Sequence, residues 1–272
     1  MNAGFSFQRV GAMMLRYTYV LRSSGFRLLE IIYWPIVQLF TWGFLQTYLI
    51  KGYAGQFIGG VEMAAGALVG GVLLLDILLR AQQGFSFSFL EEMWSRNLAN
   101  LLMSPLRMSE FATALMAMSF IRLTISTLPV TFIAIWLFGF NLWALGVALG
   151  AFFAILLVFA WAIGLFISGL LLRYGMGAES LVWALMFAIQ PLGAVYYPVS
   201  VLPPVVQPIS WALPPTYVFE GLRGVLLDRV VRWDLLAQGA ALDALLFVLA
   251  ALWFSRFLKS ARRAGTLLQT GE

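Results

Sequence analysis

Residues 142–172, LWALGVALGAFFAILLVFAWAIGLFISGLLL, hold no charged side chain. A run of roughly 20 apolar residues is enough to cross a bilayer as a helix, so this stretch decides the class of the fold. Only Gly139-Phe140-Asn141 separates it from a second apolar run over 108–138. The two therefore read as an antiparallel pair joined by a tight turn. Pro129 lies inside the second run and predicts a kink, with the freed backbone group satisfied by neighbouring helices. Further apolar runs over 28–50, 61–79, 178–195 and 235–257 bring the expected count to six spans.

Composition agrees. The 272 residues are 62% hydrophobic and 11% charged, with a mean hydropathy of +0.90. A soluble domain is nearer about 45–50% apolar and about 25% charged, and one soluble core of this size cannot hide such a surplus. There is no Cys, so neither disulfides nor thiolate sites are available. There is no His either, which removes the commonest metal ligand and the usual general base; no metal site is expected. The net charge of +5 comes from basic residues spread between the apolar runs, where they set orientation. No nucleic-acid partner is expected. The first 27 residues carry four spaced arginines and no clean apolar core, and do not read as a cleavable signal peptide.

Orientation follows from Lys and Arg. With both termini inside, the inner side collects Arg9, Arg16, Arg22, Arg27, Arg80, Arg96, Arg107, Arg173, Arg256, Lys259, Arg262 and Arg263. The outer side holds Lys51, Arg223, Arg229 and Arg232. Twelve against four places both termini in the cytoplasm. Ahead of the first span, Val10, Met13, Met14, Tyr17 and Leu21 recur at helical spacing, with Arg9, Arg16 and Arg22 off that face. Residues 1–27 thus read as an amphipathic helix in the inner interface, either a simple anchor or part of a gate.

Between the second and third spans lies SFLEEMWSRNLANLLMSPLRMSEF, Ser88–Phe111. Ser88 and Glu91 have the spacing of a capping box, which predicts a new helix over 86–104. Leu90, Met93, Trp94, Leu98, Leu101 and Leu102 form its apolar face. Glu91, Glu92, Ser95, Arg96 and Ala99 form the other, with Glu92 and Arg96 spaced as an i,i+4 ion pair. Ser104-Pro105 ends it. Two readings stand: a helix that caps the bundle, or a docking element for a cytoplasmic partner.

Seven of the ten prolines lie between Pro191 and Pro215. No uninterrupted helix runs through such a segment, and broken backbone at membrane depth must be buried in protein or line a wet cavity. Residues 196–234 therefore read as short re-entrant helices at the outer face, a plug or an outer gate. The candidate gate residues are Tyr196, Tyr197, Pro198, Pro203, Pro204, Pro214, Pro215, Tyr217, Glu220 and Arg223. Asp228 with Arg229 and Arg232 forms a mixed-charge exit to water.

Four ionisable groups sit in or near spans: Glu30, Asp76, Arg122 and Asp243. Charges at such depth are paired or functional, and Asp76 or Glu30 is the expected partner of Arg122. Gly66 with Gly70, and Gly146 with Gly150, have the small-xxx-small spacing of close helix contacts. Tyr33, Trp34 and Trp42 of the first span are candidates for a translocation path, against ordinary lipid-facing placement. Neither lysine, Lys51 nor Lys259, follows a glycine, so no G-x-x-x-x-G-K-[ST] phosphate loop exists in the chain. Any ATP-driven transport needs its ATPase on another polypeptide.

With those residues in view, the chain resembles the permease subunit of type-2 ATP-binding-cassette exporters. Two motifs carry the resemblance: EEMWSRNLANLLMSPLRMSEF before the third span and PPTYVFEGLRGVL before the last. It implies an all-α polytopic membrane protein of the inner membrane with six transmembrane helices in one transmembrane domain. Spans one and two fill 28–79, spans three to five 108–195 and span six 235–257, followed by a cytoplasmic tail over 258–272. Glu91, Glu92, Met93, Trp94, Ser95, Arg96 and Asn97 would belong to a coupling helix seated in a cytoplasmic ATP-binding subunit. Two such subunits would carry ATP and Mg, with no cofactor on this chain, beneath two paired permeases. The cargo would be hydrophobic, amphipathic or glycan. The alternative is a membrane-embedded scaffold, assembly factor or carboxylate-dependent enzyme.

Overall fold

The computed structural model describes residues 4–53 and 60–264, and among these it is helical with no strand. The 1–3 and 265–272 ends of the expected N-terminal helix and tail, and the 54–59 connection, lie outside the described residues. The helices are α1 (Phe7–Arg22), α2 (Gly25–Tyr53), α3 (Gly60–Trp94), α4 (Leu98–Met103), α5 (Met108–Phe138), α6 (Val147–Tyr174), α7 (Ser180–Leu192), α8 (Gln207–Trp211), α9 (Pro214–Leu227) and α10 (Trp233–Ala264).

Among the described residues, five segments are long and apolar enough to cross a membrane: Leu28–Lys51, Leu68–Trp94, Met108–Phe138, Val147–Ala178 and Trp233–Ala261. The span expected over 178–195 is instead the 13-residue α7. At 1.5 Å per residue this is about 20 Å, short of the roughly 30 Å hydrocarbon core. Its bounds have local causes. A 3-10 turn over Gly175–Ala178 precedes it, and Pro191 and Gly193 close it before Ala194 turns the chain at φ 52°.

α3 and α6 form the centre. The most apolar window of α3 is 83% buried and that of α6 72%, against 17% for α2 and 22% for α10. α10 packs along α6, while α5 and α2 pack on α3. Two features knit the centre together. Ser119 donates its hydroxyl to the Ala81 carbonyl (2.6 Å) and accepts from Trp161 Nε1 (3.3 Å), tying α5 to both α3 and α6. Where these helices cross, a Cβ on Gly84 would lie 3.0 Å from Ser119 Cα, so only glycine lets them approach so closely.

The expected three-residue turn between the third and fourth spans is longer. Gly139 takes the left-handed conformation (φ 63°) at the end of α5. Asn141 Oδ1 then accepts the Trp143 amide (3.0 Å) and caps a 3-10 turn over Leu142–Leu145. α6 begins only at Val147, because Leu142 and Leu145 are buried under the bundle. Pro129 leaves α5 continuous. Of the two glycine pairs, Gly70 meets Phe140, Gly150 meets nothing within 4 Å, and the surroundings of Gly66 lie outside the described residues.

Candidate functional site

At one end of the bundle, three elements converge: α1, the end of α3 and the start of α5. The separate helix expected over 86–104 is absent. α3 runs without a break to Trp94, and Ser88 lies in its interior, donating its hydroxyl to the Gly84 carbonyl (2.8 Å) instead of capping. No proline interrupts residues 79–94, so the span simply continues. Its end is a Schellman turn. The Arg96 amide donates to the Met93 carbonyl (2.9 Å) and the Asn97 amide to the Glu92 carbonyl (3.0 Å). Arg96 occupies the left-handed position (φ 53°) where glycine is usual. α4 follows and stops at Ser104, ahead of Pro105.

That turn overturns the expected Glu92–Arg96 pair, since a left-handed residue leaves the helical register on which i,i+4 spacing depends. Glu92 is buried and receives the Arg16 guanidinium on both oxygens, the second contact at 3.0 Å. It also accepts from Asn97 Nδ2 (2.9 Å). Met93 is buried as well, while Trp94, Ser95 and Arg96 are exposed and Asn97 half-buried. Glu91 is half-buried and lies against Arg122 (3.3 Å). The partner expected for Arg122, Asp76 or Glu30, is therefore replaced by Glu91. Asp76 binds Arg80 one turn along its own helix (3.0 Å).

α1 buries Val10, Met13, Tyr17 and Leu21. Two of its arginines, off that face and part-exposed, turn to buried carboxylates instead of standing free in solvent. Arg9 pairs with the fully buried Glu110 (2.7 Å), seven residues before Arg16 pairs with Glu92. Glu110 also accepts the Ser6 amide (2.8 Å) and the Arg107 amide (2.8 Å), closing the first turn of α5. Burial and the neighbouring Glu92 charge push the Tyr17 hydroxyl up, so it stays protonated. Glu179, which the sequence reading passed over, receives Trp94 Nε1 (3.4 Å) and brings the 175–180 connection beside the turn.

The other end carries the proline-rich segment. Glu220 accepts the Val199 amide (2.7 Å) and pairs with Arg223 (3.2 Å). Arg223 in turn donates to the Ala194 carbonyl (2.6 Å) and the Val195 carbonyl (3.4 Å). One i,i+3 pair on α9 thus clamps the chain that leaves α7. Pro214 and Pro215 form the buried first turn of α9, and Thr216 donates to the Ser210 carbonyl (2.6 Å). Tyr217 lies edge-on to Trp211, with centroids 5.1 Å apart. Pro198, Pro203 and Pro204 are exposed. Tyr197 donates to the Pro191 carbonyl (2.8 Å). Tyr196 donates to Gln190 (3.2 Å), and burial pushes its hydroxyl up to about 12. Arg232 pairs with Asp234 rather than with Asp228.

The three aromatic candidates of the first span separate. Trp42 stacks on Tyr196, with centroids 4.5 Å apart and planes 17° apart, joining α2 to the clamped segment. Tyr33 and Trp34 touch each other on the exposed face of α2. Asp243 is buried in α10, and its Oδ1 has no hydrogen-bond partner among the described residues.

α3 connects the two ends. A Cβ on Gly71 would lie 3.1 Å from the Val195 carbonyl oxygen, one of the two carbonyls that Arg223 holds. From there α3 is continuous to the Schellman turn after Trp94, about 35 Å away at 1.5 Å per residue.

Comparison with protein families matches residues 23–227 to the model of the ABC-2 type transporter. Comparison with curated proteins returns no match.

Proposed function

The chain belongs to the ABC-2 type transporter family, and from that premise we propose that it is the permease of an ATP-driven exporter. Membership makes it a multi-pass membrane component of a transporter whose ATP-binding subunit is a separate partner. In the proposed assembly two permeases pair above two ATP-binding subunits, which carry ATP and Mg. The α1 end faces the cytoplasm, an orientation supported by the excess of Lys and Arg there. The cargo is hydrophobic, amphipathic or glycan and moves outward.

The unbroken α3 is the observation that carries this reading. Its exposed end, Trp94, Ser95 and Arg96, is the docking element. The buried Glu92, held by Arg16 and Asn97, keeps that end from giving way under load. A displacement imposed at the turn by closure of the ATP-binding subunits travels along one rigid helix to Gly71. There it meets the segment clamped by Glu220 and Arg223, the proposed outer gate. The carboxylates Asp76, Glu91, Glu92, Glu110 and Glu220 are each engaged by an arginine, which suits transmission of force rather than acid–base chemistry.

The test is coupling. Arg96→Glu, assayed with the ATP-binding subunit in vesicles, is expected to reduce both co-purification and cargo-dependent ATP hydrolysis. Normal assembly and normal hydrolysis with this variant would sink the docking assignment.

A further inference from the structure

The α1-side end of α10 carries a pattern that neither docking nor gating uses. Arg256, Lys259, Ser260 and Arg263 line one concavity. Their spacing of three, four and seven residues puts them on one face of the helix. The opposite face, Phe254, Leu258 and Ala261, is buried in the bundle. Arg256, Lys259 and Arg263 are exposed, and among the described residues no carboxylate pairs with any of them. Arg173, from the end of α6, lies over the Phe257 ring (5.4 Å) and so reaches the same turn of α10.

The same face continues toward the membrane centre as Leu252, Leu249 and Leu245, each more than half exposed. From Leu245 to Arg256 the strip rises about 16 Å, and Arg263 lies about 10 Å farther on. The first length is about half of the roughly 30 Å hydrocarbon core, that is, one leaflet. The second covers the headgroup layer. The strip is therefore apolar for the depth of one leaflet and cationic over the headgroups, and among the described residues its charge is unmatched.

We propose that this face binds an anionic phospholipid of the inner leaflet, with the headgroup phosphate among Arg256, Lys259, Ser260 and Arg263 and an acyl chain along the leucines. A zwitterionic lipid brings its own cation and leaves the cluster uncompensated, so the site discriminates by charge. Near a membrane each Lys or Arg adds about 1 kcal/mol, or roughly fivefold, to the attraction for anionic lipid. The inference relies on the proposed orientation only to name the leaflet.

The experiment places the full-length chain in nanodiscs of phosphatidylcholine mixed with phosphatidylglycerol and counts co-purifying lipids by native mass spectrometry. Wild type is expected to retain phosphatidylglycerol preferentially. Arg256→Gln, Lys259→Gln and Arg263→Gln combined should weaken that retention by roughly tenfold or more and leave phosphatidylcholine unaffected. Arg256→Lys with Arg263→Lys keeps the charge and should keep the lipid, which separates the site from mere folding damage. Equal retention of the two lipids, or unchanged retention in the triple variant, overturns the proposal. Displacement of the lipid by inorganic phosphate also overturns it, because the site would then be a general anion site. The lipid count needs neither ATP-binding subunit nor cargo, so it stands or falls separately from the exporter reading.

Discussion

Arg16 and Glu92 form the contact with the clearest energetic sign. Arg16→Ala leaves a buried carboxylate with no cation against it, only the neutral Asn97 amide and the nearby Tyr17 hydroxyl among the described residues. Arg16 is itself 37% exposed, so the expected loss is about 2 kcal/mol, between the ranges for exposed and for fully buried pairs. It is measured by denaturant unfolding in detergent. Adding Glu92→Gln should recover part of the loss, since the unpaired charge is then gone; a strictly additive double variant would contradict the contact. Arg96 gives the opposite sign. Replacing a left-handed arginine by glycine relieves about 1 kcal/mol of backbone strain, so Arg96→Gly should stabilise the chain while still weakening association with the ATP-binding subunit. At this scale the sequence was legible as to which residues mattered and not as to whom they touch. The i,i+4 spacing of Glu92 and Arg96 holds only inside a continuous helix, and nothing nearby marks an arginine that stands where glycine usually ends one. Arg122 shows the same limit, because its partner depends on where a neighbouring helix stops.

Among the elements, α3 was misread for a physical reason. Ser88 and Glu91 satisfy a capping pattern, but a serine inside a helix can bond the carbonyl four residues back, as Ser88 does. Only a break upstream would have separated the two readings, and residues 79–88 contain none. α9 was more legible: a proline start followed by an i,i+3 acid–base pair. The backbone groups that this pair also holds were not, because they belong to a segment more than twenty residues earlier. Two predictions belong here. Arg223→Gln should free the Ala194 and Val195 carbonyls, and amide exchange over 193–200 should rise severalfold while α3 amides stay protected. Gly71→Val, which crowds the Val195 carbonyl (3.1 Å from a Cβ), should leave docking intact and depress transport, as read by a vesicle assay against wild-type ATP hydrolysis.

Across the whole molecule, the membrane character was plain from the charge-free run at 142–172, whereas the number of spans was not. Apolar length alone made 178–195 a span, and the turn at Ala194 that shortens it depends on contacts with α9. The absence of cysteine offers a direct test of orientation. A single cysteine replacing the exposed Val205 should react with an impermeant maleimide added outside intact cells. One replacing Arg96 should react only after permeabilisation. Equal reactivity of both positions would contradict a bundle with these two sites on opposite sides.

The brevity of α7 has a consequence for the lipid around the protein. Its exposed flank, Leu181, Trp183 and Phe187, belongs to a helix about 20 Å long beside a hydrocarbon layer of roughly 30 Å. Lipid meeting that flank must thin or tilt to match it, at a fraction of a kcal/mol per Å. Where lipid covers that flank, the hydrocarbon layer beside α7 is thinner than beside the five longer helices.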